Sequence, residues 1–153
     1  MEVKQIMTSE IATCRPDTNL AVVAKLMWDR DCGFVPVVDA SGKVAGVITD
    51  RDICIASATR RLLPEQISAA QAMRRPPIHT TQPEDSIEKA LGTIKQFQVR
   101  RLPVIAADGT IKGIISMNDI VLASRGREGA SPADIVAALS AICAHSPARI
   151  AAA

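Results

Sequence analysis

"GVITDRDICIA" (Gly46–Ala56) and "GIISMNDIVLA" (Gly113–Ala123) are one phrase written twice, 67 residues apart. Each runs glycine, two aliphatics, a hydroxyl residue, two variable positions, aspartate, isoleucine and a short apolar tail. Working outward, Phe34–Ala56 aligns with Arg101–Ala123, and nine of those 23 positions are identical: Pro36, Val37, Ala40, Gly42, Gly46, Ile48, Asp52, Ile53 and Ala56. Most of the others exchange Val, Ile and Leu. Pro16 matches Pro83, and Met7 matches Met73 if the second copy carries one extra residue in "RRPPIHTTQP". A period this long is not a solenoid unit. It implies two copies of a small α/β module.

Each copy reads in the same order. A short apolar turn ends at Met7 or Met73. A brief strand follows, "IATC" or "PIHTT", halted by Pro16 or Pro83. "PDTNL" and "PEDSI" look like helix starts, with Thr18 or Ser86 able to cap. Apolar residues then recur at Leu20, Val23, Ala24 and Met27, and at Ile87, Ala90, Leu91 and Ile94, the spacing of one face of an amphipathic helix. "FVPVVDASGKVAGVITD" and "RLPVIAADGTIKGIIS" each read as a hairpin around Ser41-Gly42 or Asp108-Gly109. A last helix begins at Asp50 or Met117.

The order in each copy is therefore β-α-β-β-α, and the fold class is α+β. One copy of about 55 residues is marginal alone, so two copies are expected to pack sheet to sheet about a pseudo-twofold. The expected divisions are a first repeat (1–56), a linker (57–68), a second repeat (69–123), and a hinge with a C-terminal helix and tail (124–153). In that last part Ser131, Pro132 and Asp134 form a helix start, and the "RGREGA" before it reads as a hinge. The tail "AHSPARIAAA" is expected to fray.

Composition bounds the function. Of 153 residues, 48% are apolar, enough for a buried core, but only 2% are aromatic, too few for base-stacking platforms. The 18 basic and 16 acidic residues nearly balance, so neither nucleic acid nor an anionic membrane is the expected partner. No apolar run is long enough to span a bilayer and no secretory leader is visible, so a cytoplasmic location is expected. Four cysteines at 14, 32, 54 and 143 form no C-x-x-C pair, and with two histidines a metal site is not expected. In the repeat, Cys32 faces Val99 and Cys54 faces Val121, which suggests cysteines acting as small core hydrophobes. A redox role for Cys14 or Cys32 is the alternative.

Thr49-x-x-Asp52 and Ser116-x-x-Asp119 admit two readings. A hydroxyl three residues before an acid at a helix start is a capping box. The same atoms suit a nucleoside phosphate. A helix N-terminus attracts phosphate, and a first-turn carboxylate can accept both hydroxyls of a ribose.

The two copies resemble a tandem pair of CBS domains, also called a Bateman module. The resemblance rests on "CGFVPVVDASGKVAGVITDRDI" and "VRRLPVIAADGTIKGIISMNDI", with "MTSEIATCRPDTNL" and "MRRPPIHTTQPEDSI" upstream. It implies an adenosyl ligand (AMP, ADP or ATP; alternatively S-adenosylmethionine or NAD) held in a cleft between the repeats. It implies that Asp52 and Asp119 hold ribose, with Thr49 and Ser116 by the ribose and phosphate. It also implies that the basic pair before "LPV", Arg100 and Arg101, contacts phosphate. Gly33 and Phe34 stand in those places in the first copy, so the two sites should be unequal, with the second preferring the more charged nucleotide. The adenine pocket is expected among Ile11, Ala12, Val35, Pro36, Ile78, Leu102 and Pro103.

CBS pairs commonly dimerise through their helices, and the first copy carries extra apolar residues there. A homodimer is expected, with Val22 and Trp28 near the contact. No nucleophile–base set, phosphate loop or metal cluster appears, so the chain is not expected to be an enzyme. The expected function is a regulatory adenine-nucleotide sensor acting through a partner protein. The alternative is a ligand-independent dimerisation scaffold.

Overall fold

The computed structural model of the chain describes residues 1–126 and 129–144. Helices α1 (Leu20–Asp29), α2 (Asp50–Arg60), α3 (Ala69–Ala72), α4 (Ile87–Phe97), α5 (Met117–Ala123) and α6 (Pro132–Cys143) and strands β1 (Phe34–Val38), β2 (Val44–Thr49), β3 (Arg101–Ile105) and β4 (Ile111–Ser116) follow in the order α1-β1-β2-α2-α3-α4-β3-β4-α5-α6. The strands make two small antiparallel sheets, β1 with β2 and β3 with β4. Most of "RGREGA" is described, but Arg127, Glu128 and the tail from His145 on lie outside the described residues.

The amphipathic faces bury as their spacing requires. Leu20, Val23 and Met27 of α1 are buried, as are Ile87, Ala90, Leu91 and Ile94 of α4. Ser86 caps α4, its hydroxyl accepting from the Lys89 N–H at 3.2 Å. The cap of α1 is Asn19, one residue after the expected Thr18, with Oδ1 accepting from the Val22 N–H at 3.0 Å. The Thr18 hydroxyl instead accepts from the Arg15 N–H at 3.0 Å and closes the preceding turn. At the hairpin tips, Gly42 and Gly109 have φ of 79° and 84°. A side chain strains that left-handed conformation, so glycine is required there.

The expected first strand of each copy is reduced to a single parallel bridge: Cys14 to Val37, and Thr81 to Val104. The Cys14 N–H donates to the Pro36 carbonyl at 3.1 Å, and the Cys14 carbonyl accepts from the Val38 N–H at 2.9 Å. Thr81 does the same with Pro103 and Ile105, at 3.1 and 2.9 Å. Two residues further on stand Pro16 and Pro83, which lack the N–H a longer ladder needs.

The chain forms two compact units. Unit I holds residues 10–78 and 106–111. Unit II holds 1–9, 79–105 and the described residues from 112 on. Leu20, Val23, Val35, Val37, Ile48 and Ile67 anchor the core of unit I. Ile87, Ile94, Leu102, Val104, Ile115 and Ile120 anchor that of unit II.

The units are not contiguous stretches of sequence, because the segments ahead of the first bridges are exchanged. Thr8 pairs with Ile114 in unit II, through hydrogen bonds of 2.9 and 3.0 Å. Arg74 pairs with Val47 in unit I, at 2.8 and 3.1 Å. The two repeated glycines allow this approach. A Cβ on Gly113 would lie 2.6 Å from the Thr8 carbonyl oxygen and 2.9 Å from Met7 Sδ. One on Gly46 would lie 2.9 Å from the Arg74 carbonyl oxygen and 2.5 Å from Met73 Sδ. The pairing of Met7 with Met73 and of Gly46 with Gly113 is thus one local packing, built once in each unit.

Candidate functional site: two aspartate-capped helix starts

In unit I, β2 runs into α2 at Thr49, whose extended backbone ends the strand and whose side chain begins the helix. The Thr49 hydroxyl accepts from the Asp52 N–H at 3.2 Å. Asp52 Oδ2 in return accepts from the Thr49 N–H at 3.0 Å and from its hydroxyl at 2.7 Å. This is a closed capping box. The second carboxylate oxygen, Oδ1, accepts from Nε and Nη2 of Arg74, both at 3.3 Å. Asp52 is largely buried and Arg74 is half exposed, so the ion pair can be reached from solvent.

In unit II, β4 runs into α5 at Ser116 and the box recurs. The Ser116 hydroxyl accepts from the Asp119 N–H at 3.3 Å, and Asp119 Oδ2 accepts from the Ser116 N–H at 2.8 Å and its hydroxyl at 2.7 Å. Among the described residues, Asp119 Oδ1 has no partner. One oxygen of each aspartate is therefore spent on a helix end. The other is taken by Arg74 in unit I and is left with its lone pairs in unit II.

The surroundings of the boxes differ in charge. In unit II the Arg100 carbonyl accepts from the Met117 N–H at 3.0 Å, which fixes this residue beside the first turn of α5, and Arg101 opens β3. Neither guanidinium has a hydrogen-bond or ion-pair partner among the described residues. In unit I the corresponding contact is from the Asp50 N–H to the Gly33 carbonyl, at 3.4 Å. A Cβ on Gly33 would lie 2.7 Å from Asp50 Oδ2. Where unit II sets an arginine, unit I sets a carboxylate against bare backbone.

Of the residues expected around an adenine, Ile11, Ala12 and Ile78 are partly exposed. Val35 and Leu102 are core residues of their units, and Pro36 and Pro103 are buried as well. Val22 and Trp28 of α1 are 54% and 86% exposed. Cys14 is buried in the core of unit I, where desolvation pushes its thiol up to about 11. Cys54 and Cys143 are exposed, which corrects the core reading for Cys54, and Cys32 is partly exposed. Among the described residues, no three His, Cys, Asp or Glu side chains gather as a metal site, and no helix is long and apolar enough to cross a membrane.

Nothing in the sequence singles out Arg74, whose bond to Asp52 appears only in the folded chain. No repeat signal marks it, because its counterpart in unit II, Thr8, carries no charge.

The family model of the CBS domain matches the chain twice, over residues 3–59 and 68–126. The chain is 34% identical over 115 residues to inosine-5'-monophosphate dehydrogenase from Mycobacterium leprae, a stretch that covers 75% of this chain and 21% of that protein. The chain thus spans about a fifth of that relative's length. It is 30% identical over 131 residues to the CBS domain-containing protein YhcV from Bacillus subtilis, covering 86% of this chain and 91% of YhcV. Among solved structures, CBSX2 in complex with AMP matches with a TM-score of 0.70 at 23% identity, over 81% of this chain and 96% of that one.

Proposed function

The chain belongs to the CBS-domain family, and we propose that it is a cytoplasmic regulatory module that binds an adenine nucleotide and signals its occupancy to a partner protein. The observation that carries this reading is the repeated aspartate box. In unit II it leaves a carboxylate oxygen unspent at a helix start, beside a backbone that carries two arginines with no partner among the described residues. A ribose diol supplies the donors such an oxygen lacks. Guanidinium groups at Arg100 and Arg101 meet phosphate oxygens in bidentate fashion. The AMP in the CBSX2 structure supports an adenosyl ligand, and within unit I the partly exposed Ile11, Ala12 and Ile78 are apolar residues that can meet its base.

The two sites are unequal on this reading. In unit II, Ser116, Asp119, Arg100 and Arg101 favour the more highly charged nucleotide, ATP or ADP. In unit I, Thr49 and Asp52 flank Asp50 in the first turn of α2, and Arg74 pairs with Asp52. AMP suits that balance better. No reaction is assigned to the chain, and the exposed Val22 supports a homodimer through α1.

Isothermal titration with AMP, ADP and ATP tests the proposal. Asp119→Asn keeps one acceptor for the helix end, so the fold should persist. A hydrogen bond to a charged group contributes about 1.5–3 kcal/mol, so affinity in unit II is expected to fall roughly tenfold or more. If neither these nucleotides, S-adenosylmethionine nor NAD gives heat or raises Tm, the chain is a ligand-independent dimerisation scaffold.

A further inference from the structure

The two units treat one groove differently. In unit II, α6 lies on α4. Ile135 and Ala138 are buried in the cluster that holds Leu91, Ile94, Met117 and Ile120, and Val99 and Ile142 pack against it. At the far end, Gln98 Nε2 donates to the carbonyl of Ala141, in the last turn of α6, at 2.9 Å.

Stepping back 67 positions takes each receiving residue into unit I. Leu91 and Ile94 correspond to Ala24 and Met27, Gln98 and Val99 to Asp31 and Cys32, and Met117 and Ile120 to Asp50 and Ile53. All six of these line a cavity of about 410 Å³, with Trp28 and Gly33 completing its wall. The groove that α6 fills in unit II is therefore repeated in unit I, where no described residue fills it. The backbone at its rim is left-handed in both, since Asp31, just past the end of α1, and Gln98, just past the end of α4, have φ of 47° and 52°.

The chemistry at that rim is not alike. Gln98 donates to a helix carbonyl. Asp31 has no proton to donate, and Asp50 adds a second carboxylate where unit II has Met117. A helix seated here needs a cation at its C-terminal end, which its own dipole also favours. The last turn of α6 carries no basic residue, so α6 matches the Gln98 groove and mismatches this one.

We propose that the groove lined by Met27, Trp28, Asp31, Cys32, Asp50 and Ile53 docks an amphipathic helix of a partner protein, seated as α6 is in unit II, with small or aliphatic residues at i, i+3 and i+7 and a Lys or Arg in its last turn against Asp31 and Asp50. This goes beyond nucleotide binding, since it names the surface by which a partner is engaged and stands whether or not a nucleotide binds.

Trp28 is the sole tryptophan and lines this groove, so its emission reports on it. The probe is a synthetic peptide of residues 131–144 carrying A141K, titrated into the full chain. A saturable blue shift of Trp28 emission is expected, as an exposed indole becomes covered. The unaltered peptide and an A141E peptide are expected to bind more weakly, by up to roughly fivefold for the lost ion pair. Asp31→Lys in the protein should reverse the order and favour A141E. An absent shift, an equal response to all three peptides, or an order that survives Asp31→Lys overturns the proposal. So does Trp28 emission that is already blue-shifted without peptide and reddens on dilution, which gives the groove to a second copy of the chain.

Discussion

Asp52 and Asp119 occupy the same place in the repeat and do not keep the same company. Arg74 holds one oxygen of Asp52 with two bonds of 3.3 Å, long for charge-assisted contacts, and is itself half exposed. An accessible pair of this kind is worth about 0–1 kcal/mol. Arg74→Gln should therefore cost little stability. Without a phosphate to attract, adenosine is expected to bind unit I up to roughly fivefold tighter in this variant, because Asp52 no longer has to release an arginine. Titration in an Asp119→Asn background isolates that site, and weaker adenosine binding would make Arg74 a ligand contact instead. Cys14 gives a second residue-level outcome. With its thiol pushed up to about 11 by burial, the folded protein holds it neutral and covered at pH 8. Alkylation followed by mass spectrometry should mark Cys54 and Cys143 first, and Cys14 only on the timescale of unfolding.

At the scale of the element, the repeat made most of the fold legible. The 3.6-residue period of Leu20, Val23, Ala24 and Met27, copied in Ile87, Ala90, Leu91 and Ile94, yields two helices with those faces buried, apart from a partly buried Ala24. The glycine turns yield both hairpins. Local pattern was less able to show how much ladder a segment makes once a proline follows, so the first strands shrink to single bridges. It also missed the cap of α1, because Thr18 and Asn19 both carry a capping oxygen and only the turn closed by Thr18 decides between them. Asp52 and Asp119 were legible as a repeated spacing. Arg74 was not, since its bond to Asp52 joins positions 22 apart that no period relates. The Gly46 and Gly113 packing can be tested directly. Gly46→Ala and Gly113→Ala each push a methyl against a backbone carbonyl under 3 Å away. Each is expected to lower stability by about 1–3 kcal/mol in urea unfolding, as overpacking does. Gly92→Ala, where nothing lies within 4 Å, should leave it unchanged or raised.

For the whole molecule, the duplication in sequence and the two units in space are different partitions of the same chain. Val3 is fully buried in unit II, and the Thr8 bridge closes the edge of β4 there. Deleting residues 1–8 removes both. Burial of one such side chain is worth about 1.5–3 kcal/mol. Hydrogen exchange should show lost protection concentrated in unit II, at β4 and the start of α4, although the deletion lies at the head of the first repeat. Loss confined to residues 10–56 would contradict the exchange. The ancestral cassette has in this way mortgaged its independence. A gene that shed either copy would also strip the survivor of a piece it no longer encodes, so the doubling, once made, is held in place by its own architecture.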